Sequence, residues 1–237
     1  MTERGRPSVG RSRHEFGIGP STLVWRGDHL EVLVDEVATP WPRHVRGRVR
    51  VYPSALSRFA TGLDRAGRHR WGPIAPCARV EVDLPSPGLR WRGHAYLDSN
   101  EGDEPVAAAF ARWDWSRATL RDGSTAVVYD VREPDASESL VAERFRPDGT
   151  AESIEPAARR RLPRTGWGID RSLRSDADGP TPRVLATLED TPFYTRSVLR
   201  APILGETVET MHETLDGRRL AAPWVQALLP FRMPRRR

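Results

Sequence analysis

Lysine is absent from this chain of 237 residues, and all 37 basic side chains are arginine. Without lysine these residues have no amine side chain to form a Schiff base with a carbonyl substrate or with pyridoxal phosphate. They also lack the lysine of a Walker A phosphate loop. Cysteine is nearly as scarce: Cys77 stands alone. That excludes an internal disulfide and a zinc site of paired cysteines, and it leaves Cys77 as a small buried hydrophobe. No apolar run approaches the roughly 18 residues that cross a bilayer as a helix. The opening MTERGRPSVGRSRHEFG is basic but has no apolar stretch, so it does not read as a secretory signal. Gly-x-Ser-x-Gly and His-Glu-x-x-His are both missing, since His212-Glu213 lacks the second histidine.

What remains is a chain with 38% hydrophobic and 29% charged residues, enough for one large domain or two small ones. The net charge of +5 invites a nucleic-acid reading. The arginines argue against it. They are spread along the chain and interleaved with Asp and Glu, except at Arg159–Arg161 and in the Arg235–Arg237 tail.

Alternation with period two recurs throughout, and no long segment has the 3.6-residue period of a helix. Thr22–Trp25 and His29–Asp35 flank Arg26-Gly27-Asp28 and predict a hairpin. Val45–Tyr52 places valines on one parity and Arg46, Arg48 and Arg50 on the other. Val80–Leu84, Leu89–Asp98, Phe110–Leu120, Thr125–Val131, Ser139–Phe145, Val184–Leu188, Phe193–Leu199 and Thr207–Leu215 read as further strands. Residues 1–20 and 155–182 read as loops, Pro53–Ala60 as a short helix, and Ala221–Leu229 as one or two amphipathic turns. Pro73 and Pro76 make the segment after Trp71 irregular. The expectation is an all-β protein of two antiparallel barrel or sandwich units, divided into residues 1–86 and 87–237 where Pro85-Ser86-Pro87-Gly88 interrupts the chain.

The richest stretch is Arg68–Trp115, which holds four of the eight tryptophans. It contains two polar pairs at spacing i, i+2: His69/Trp71 and Tyr96/Asp98. In a strand, i and i+2 share a face. Tyr96 and Asp98 then look one way with His94, while Trp91, Gly93, Ala95 and Leu97 look the other. A carboxylic acid and a phenol among indoles suit acid chemistry on an apolar substrate, and they equally suit a hydrogen-bonded pair in an ordinary β core. Ser99-Asn100-Glu101-Gly102-Asp103 is acidic but lacks the ligand spacing of a calcium loop.

At these residues the chain resembles the carotenoid 1,2-hydratase family, also called hydroxyneurosporene synthase. The resemblance is carried by His-Arg-Trp-Gly-Pro-Ile-Ala-Pro (His69–Pro76), Gly-His-Ala-Tyr-Leu-Asp-Ser-Asn-Glu-Gly (Gly93–Gly102) and Phe-Ala-Arg-Trp-Asp-Trp-Ser-Arg (Phe110–Arg117). His-Glu-Thr-Leu and Pro-Phe-Arg-Met-Pro-Arg-Arg near the end add to it. It implies a lipocalin-like β fold and addition of water to the terminal C1–C2 double bond of acyclic carotenoids such as neurosporene and lycopene, with no cofactor. The family's functional His, Trp, Tyr and Asp fall on His69, Trp71, Tyr96 and Asp98. Family chains are longer and continue upstream, so an N-terminally truncated chain with an incomplete first unit is expected.

Protonating C2 of such an alkene gives a tertiary cation at C1, which water captures. Asp98 is the expected acid. With an ordinary value of about 3.9, an aspartate serves only if desolvation keeps it protonated. Trp71 is expected to face the cation, His69 to orient or deprotonate the water, and Tyr96 to hold the Asp98 carboxyl. The alternative from another class is a non-catalytic carrier of an apolar ligand. An insoluble polyene implies substrate drawn from a bilayer, so peripheral attachment on the cytoplasmic side through Trp224–Leu229, Phe231 and Arg235–Arg237 is expected.

Overall fold

The computed structural model describes residues 5–38 and 41–228, together with the backbone of 2–3 and 233–234. The period-two pattern becomes strand almost throughout: 58% of the described residues are strand and 8% helix. In chain order the strands are β1 (Thr2–Glu3), β2 (Val9–Arg11), β3 (Glu15–Ile18), β4 (Ser21–Trp25), β5 (Leu30–Val37), β6 (His44–Pro53), β7 (Thr61–Gly62), β8 (His69–Ser86) and β9 (Leu89–Gly102). They continue with β10 (Arg112–Thr119), β11 (Thr125–Arg132), β12 (Glu138–Phe145), β13 (Ala151–Ser153), β14 (Arg159–Leu162), β15 (Arg171–Arg174), β16 (Arg183–Asp190), β17 (Tyr194–Ile203), β18 (Glu206–Asp216) and β19 (Met233–Pro234). Three short helices, α1 (Val106–Ala109), α2 (Gly217–Leu220) and α3 (Pro223–Leu228), sit in the connections.

The first sheet runs β2-β3-β4-β5-β6-β8-β7, with β9 paired to β8 beside that path. The second runs β13-β12-β11-β10-β18-β17-β16, and β14-β15 form a separate ribbon. Pairing within both sheets and the ribbon is antiparallel. The all-β expectation holds, and among the described residues no pairing closes either sheet into a barrel. The expected division at 86/87 falls at the tip of the β8–β9 hairpin. There the pairing runs from Leu84↔Leu89 to His69↔Gly102, so the strands on either side lie in one sheet. Sheet membership changes between Gly102 and Arg112.

Several local expectations are corrected. Residues 1–20 contain β2 and β3, because β3 finds a partner in β4 from Glu15↔Val24 to Ile18↔Ser21. Residues 53–60 form no helix, since the amides of Ser54 and Ser57 bond across to the carbonyls of Cys77 and Ile74 rather than along a helix. The prolines after Trp71 do not end β8. The strand absorbs them as register shifts between Pro73 and Ala75 and between Ala75 and Ala78. The loop expected at 155–182 holds the β14–β15 ribbon, and Leu162, Ile169 and Leu173 are buried there.

The second sheet is covered on both faces. On one face Trp115, Val127, Tyr129 and Val131 join Trp71, Cys77 and Phe110 in a single core cluster. On the other, Ala118, Ala126, Leu199 and Ala201 pack with Leu162 and Leu173 of the ribbon. The charged face of β6 is paired within its own sheet, Arg46 with Asp35 at 2.9 Å and Arg50 with Glu31 at 3.2 Å.

A buried polar knot lies on the ribbon side of the second sheet. Asp114 accepts hydrogen bonds from Ser172 Oγ at 2.9 Å, from Arg112 Nε at 3.0 Å and from Thr214 Oγ1. Burial alone would raise its pKa. His212, Arg112 and Thr214 outweigh burial and hold the carboxyl below its ordinary value. A depressed folded-state pKa contributes stability above the unfolded value of about 3.9, and that stability is lost as pH falls through the folded one. The urea midpoint should therefore be level near neutrality and fall in acid, and Asp114→Asn should flatten that fall. An equal acid slope in the variant would remove Asp114 as its source.

Candidate active site

The β8–β9 hairpin lies against the inner face of the second sheet, and a cavity of about 830 Å³ opens between them. Strand parity aims side chains into it from both sides. Tyr96 and Asp98 point in from β9, Trp113, Trp115 and Arg117 from β10, and Met211, Glu213 and Leu215 from β18. The alternate residues Asp114, His212 and Thr214 face the polar knot. The wall is largely aromatic: Trp113 packs on Tyr129 at 5.5 Å and on Tyr194 at 6.3 Å, and Tyr96 on Trp115 at 5.5 Å.

Asp98 is the meeting point of two of the residues singled out in the sequence, Trp71 and Tyr96. Its Oδ2 accepts the Trp71 indole N–H at 2.9 Å and the Tyr96 hydroxyl at 3.3 Å. These bonds fall on one oxygen, so Oδ1 is the oxygen left for a proton. Burial, and then the charge of Asp98, push the Tyr96 phenol far above its ordinary pKa. It therefore stays a donor at any working pH. Tyr129 is driven the same way by burial and by Asp98 and Glu213.

Trp71 differs from its expected placement. It is fully buried, with edge contacts to Phe59 and Tyr129 at 5.9 Å and to Phe145 at 6.2 Å. It does not line the cavity, and it meets the site through its N–H rather than its ring face. Strand parity still holds here, since His69, Trp71 and Pro73 pair in unbroken register with Gly102, Asn100 and Asp98. The indole is covered by its packing on Phe59, Tyr129 and Phe145.

His69 does line the cavity, but its ring nitrogens are turned to protein. Nε2 lies 3.1 Å from the Glu104 carbonyl, which can only accept, so that nitrogen carries the proton. Nδ1 is buried without a hydrogen-bond partner and stands 3.8 Å from Asp64 Oδ1. The ring packs on Phe110 at 4.7 Å. Gly102 permits this, because a Cβ there would lie 2.7 Å from Cδ2 and 2.8 Å from Nε2 of His69. Gly102→Ala should therefore displace the imidazole and destabilise the fold by about 1–3 kcal/mol, the usual range for overpacking. A urea midpoint equal to that of the parent would show that His69 is not held this tightly.

Two charged groups of the site escaped the sequence reading. Glu213 lines the cavity and accepts from Arg196 Nε at 2.8 Å. Arg117 is half-buried against the Tyr96 ring, its guanidinium 5.6 Å from the centroid. Burial lowers its pKa, while Tyr96, Asp98 and Glu213 oppose that shift. The signal was available in the parity of β18, where Met211, Glu213 and Leu215 alternate with His212 and Thr214.

Comparisons with known proteins agree with this architecture. An acyclic carotenoid 1,2-hydratase of Rubrivivax gelatinosus is 57% identical over 236 residues, covering 100% of this chain and 58% of that protein. One of Thiocapsa roseopersicina is 49% identical, with 99% and 58% coverage. One of Cereibacter sphaeroides is 36% identical and is matched over 84% of its length. The chain thus spans little more than half the length of the first two relatives. A crystal structure of a protein described as AttH, from Nitrosomonas europaea, superposes with a TM-score of 0.62 at 15% identity, over 89% of this chain and 72% of that one. It shares the fold. Residues 1–237 match the family described as carotenoid hydratase CrtC, and the chain belongs to that family.

Proposed function

We propose that the cavity binds one end of an acyclic carotenoid and that Asp98 adds a proton to its terminal double bond, so that water completes a 1,2-hydration. The observation that carries this reading is the double hydrogen bond to Asp98 Oδ2 at the wall of an aromatic cavity. Two neutral donors fix the carboxyl and leave Oδ1 to deliver the proton. Tryptophan and tyrosine rings exclude water from the chain of the substrate and attract the positive charge that forms. Trp71 and Tyr96 position the acid. His69 holds the segment at Glu104 that forms part of the rim. When the proton has left, Arg117 supplies a half-buried positive charge in the same cavity as the Asp98 carboxylate. No step calls for a cofactor.

Incubation with neurosporene or lycopene tests this directly. The expected product is heavier by one water and carries a tertiary alcohol. Binding of the polyene with no such product would point to the carrier reading. Tyr96→Phe removes one of the two donors but not the proton source. It should slow turnover by about fivefold, in line with one neutral hydrogen bond of about 1 kcal/mol. Loss as large as that of an Asp98 variant would make Tyr96 more than a positioning group.

The same substrate points to a membrane surface, on the cytoplasmic leaflet. Within α3, Val225 is buried while Trp224 and Leu228 are half exposed. The Trp224 ring stacks near-parallel on exposed Trp167 at 6.4 Å. Paired exposed indoles suit the interface of a bilayer. Leu229, Phe231 and Arg235–Arg237, the rest of the expected anchor, lie outside the described residues. Trp167→Ser with Trp224→Ser should weaken co-sedimentation with anionic vesicles, and unchanged binding would refute this anchor.

A further inference from the structure

We propose that Glu213 is the second catalytic carboxylate of this site, facing the cationic carbon and taking the proton from the water that captures it. This rests on the hydration reading and assigns the base it needs. Hydration makes opposite demands on two groups, one that arrives protonated and one that arrives as an anion. The cavity offers a carboxyl group on each wall. Asp98 on β9 is fixed through Oδ2 by Trp71 and Tyr96, which leaves Oδ1 for the proton. Glu213 on β18 is fixed through Oε1 by Arg196 Nε at 2.8 Å, a charge-assisted bond that sets its orientation.

The two approach from opposite walls. Asp98 belongs to the first sheet and Glu213 to the second, with the alkene site between them. Asp98, Arg117, Tyr129 and Glu213 line the same cavity. Other candidates fit the role less well. His69 has Nε2 on the Glu104 carbonyl and Nδ1 buried towards Asp64. Glu104 directly follows β9, the strand that carries Asp98, rather than lying on the facing sheet, and the side chain of Glu101 is 67% exposed. The indoles and phenols of the wall are poor proton acceptors.

The step balances without an oxidant or a cofactor. The π electrons of the C1–C2 bond form a C2–H bond as the Asp98 O–H bond breaks, leaving the Asp98 carboxylate and a tertiary cation at C1. A water lone pair forms the C1–O bond, and a proton of that water passes to the Glu213 carboxylate. Transfer of one proton from Glu213 back to Asp98 through solvent restores both groups. Glu213 is therefore present as an anion at the moment the cation exists, which lowers the energy of the state that limits the rate.

Glu213→Gln separates the two half-steps. In D₂O the variant should still place deuterium on C2 of recovered alkene, because the cation forms and collapses back, while hydration falls by about 10²-fold or more, as for loss of a general base. Asp98→Asn should lose both signals. A second readout needs no turnover. A long-chain tertiary amine, protonated and shaped like the cation, is compared with its neutral tert-butyl isostere by quenching of Trp113 and Trp115. The parent should prefer the ammonium by about tenfold or more, and Glu213→Gln should abolish the preference. Should the single variant not fold, Glu213→Gln with Arg196→Gln removes both charges and should give the same two losses. A Glu213→Gln protein that hydrates at the parental rate and keeps the ammonium preference overturns the proposal. A parent that hydrates no acyclic carotenoid, yet loses its ammonium preference with Glu213→Gln, refutes the reaction assigned to the site and keeps Glu213 as the group that faces a cation.

Discussion

Asp98→Asn is expected to lower hydration of an acyclic carotenoid by about 10²–10⁴-fold, the range for removing a general acid, while leaving the fold and polyene binding intact. The two halves of this expectation come from different atoms. Oδ2 accepts from Trp71 and Tyr96, and an asparagine amide oxygen can accept both bonds in its place. The packing of Trp71 and Tyr96 then need not change. Oδ1 becomes an amide NH₂, which cannot deliver a proton to carbon. Turnover should therefore fall through kcat, and the affinity for the polyene, read by quenching of the cavity tryptophans, should stay within about twofold. Thermal unfolding should be nearly that of the parent, because no bond is left unmade. A variant that folds, binds and still hydrates within tenfold of the parental rate would mean that the proton comes from elsewhere.

How much of this site could be read from the sequence depended on whether strand parity survived folding. Along β9 it did: the Tyr96 hydroxyl donates to Oδ2 of Asp98, two residues on along one face of an unbroken run. Along β10 it did as well, with Trp113, Trp115 and Arg117 inward and Asp114 outward. Along β8 it survived through His69, Trp71 and Pro73, which pair in unbroken register with Gly102, Asn100 and Asp98; the shifts come only beyond Pro73. What parity could not tell was which side chains of that face are covered: Trp71 packs on Phe59, Tyr129 and Phe145 and so lies in the core rather than in the cavity wall. The β14–β15 ribbon was illegible for another reason. Its strands have four residues each, rich in arginine, and their burial comes from the face of the second sheet rather than from any pattern of their own. Glu213 was legible in the parity of Thr207–Leu215, which sets Met211, Glu213 and Leu215 on one face and His212 and Thr214 on the other, but a lone carboxylate in a strand carries no motif that marks it.

Trp71 gives the sharpest test of the core, because it belongs both to the fold and to the acid. It is fully buried with aromatic neighbours on several sides, so Trp71→Ala leaves a cavity that rigid β strands cannot close. The expected cost is about 3–5 kcal/mol. For a chain of this size each kcal/mol lowers Tm by about 2–4 °C, so the shift should be about 6–20 °C. Trp71→Phe separates the two roles. It keeps most of the ring contacts, and it removes the N–H that donates to Asp98 Oδ2 at 2.9 Å. The carboxyl then has only Tyr96 to hold it and can rotate away from the alkene. Trp71→Phe should therefore unfold only a few degrees below the parent, yet hydrate about tenfold or more slowly, with substrate affinity little changed. The double variant Trp71→Phe/Tyr96→Phe frees the carboxyl from both donors, so its loss should exceed that of either change alone. If Trp71→Phe loses stability and activity in the proportions of Trp71→Ala, the indole acts through packing, and the bond to Asp98 contributes nothing of its own to catalysis.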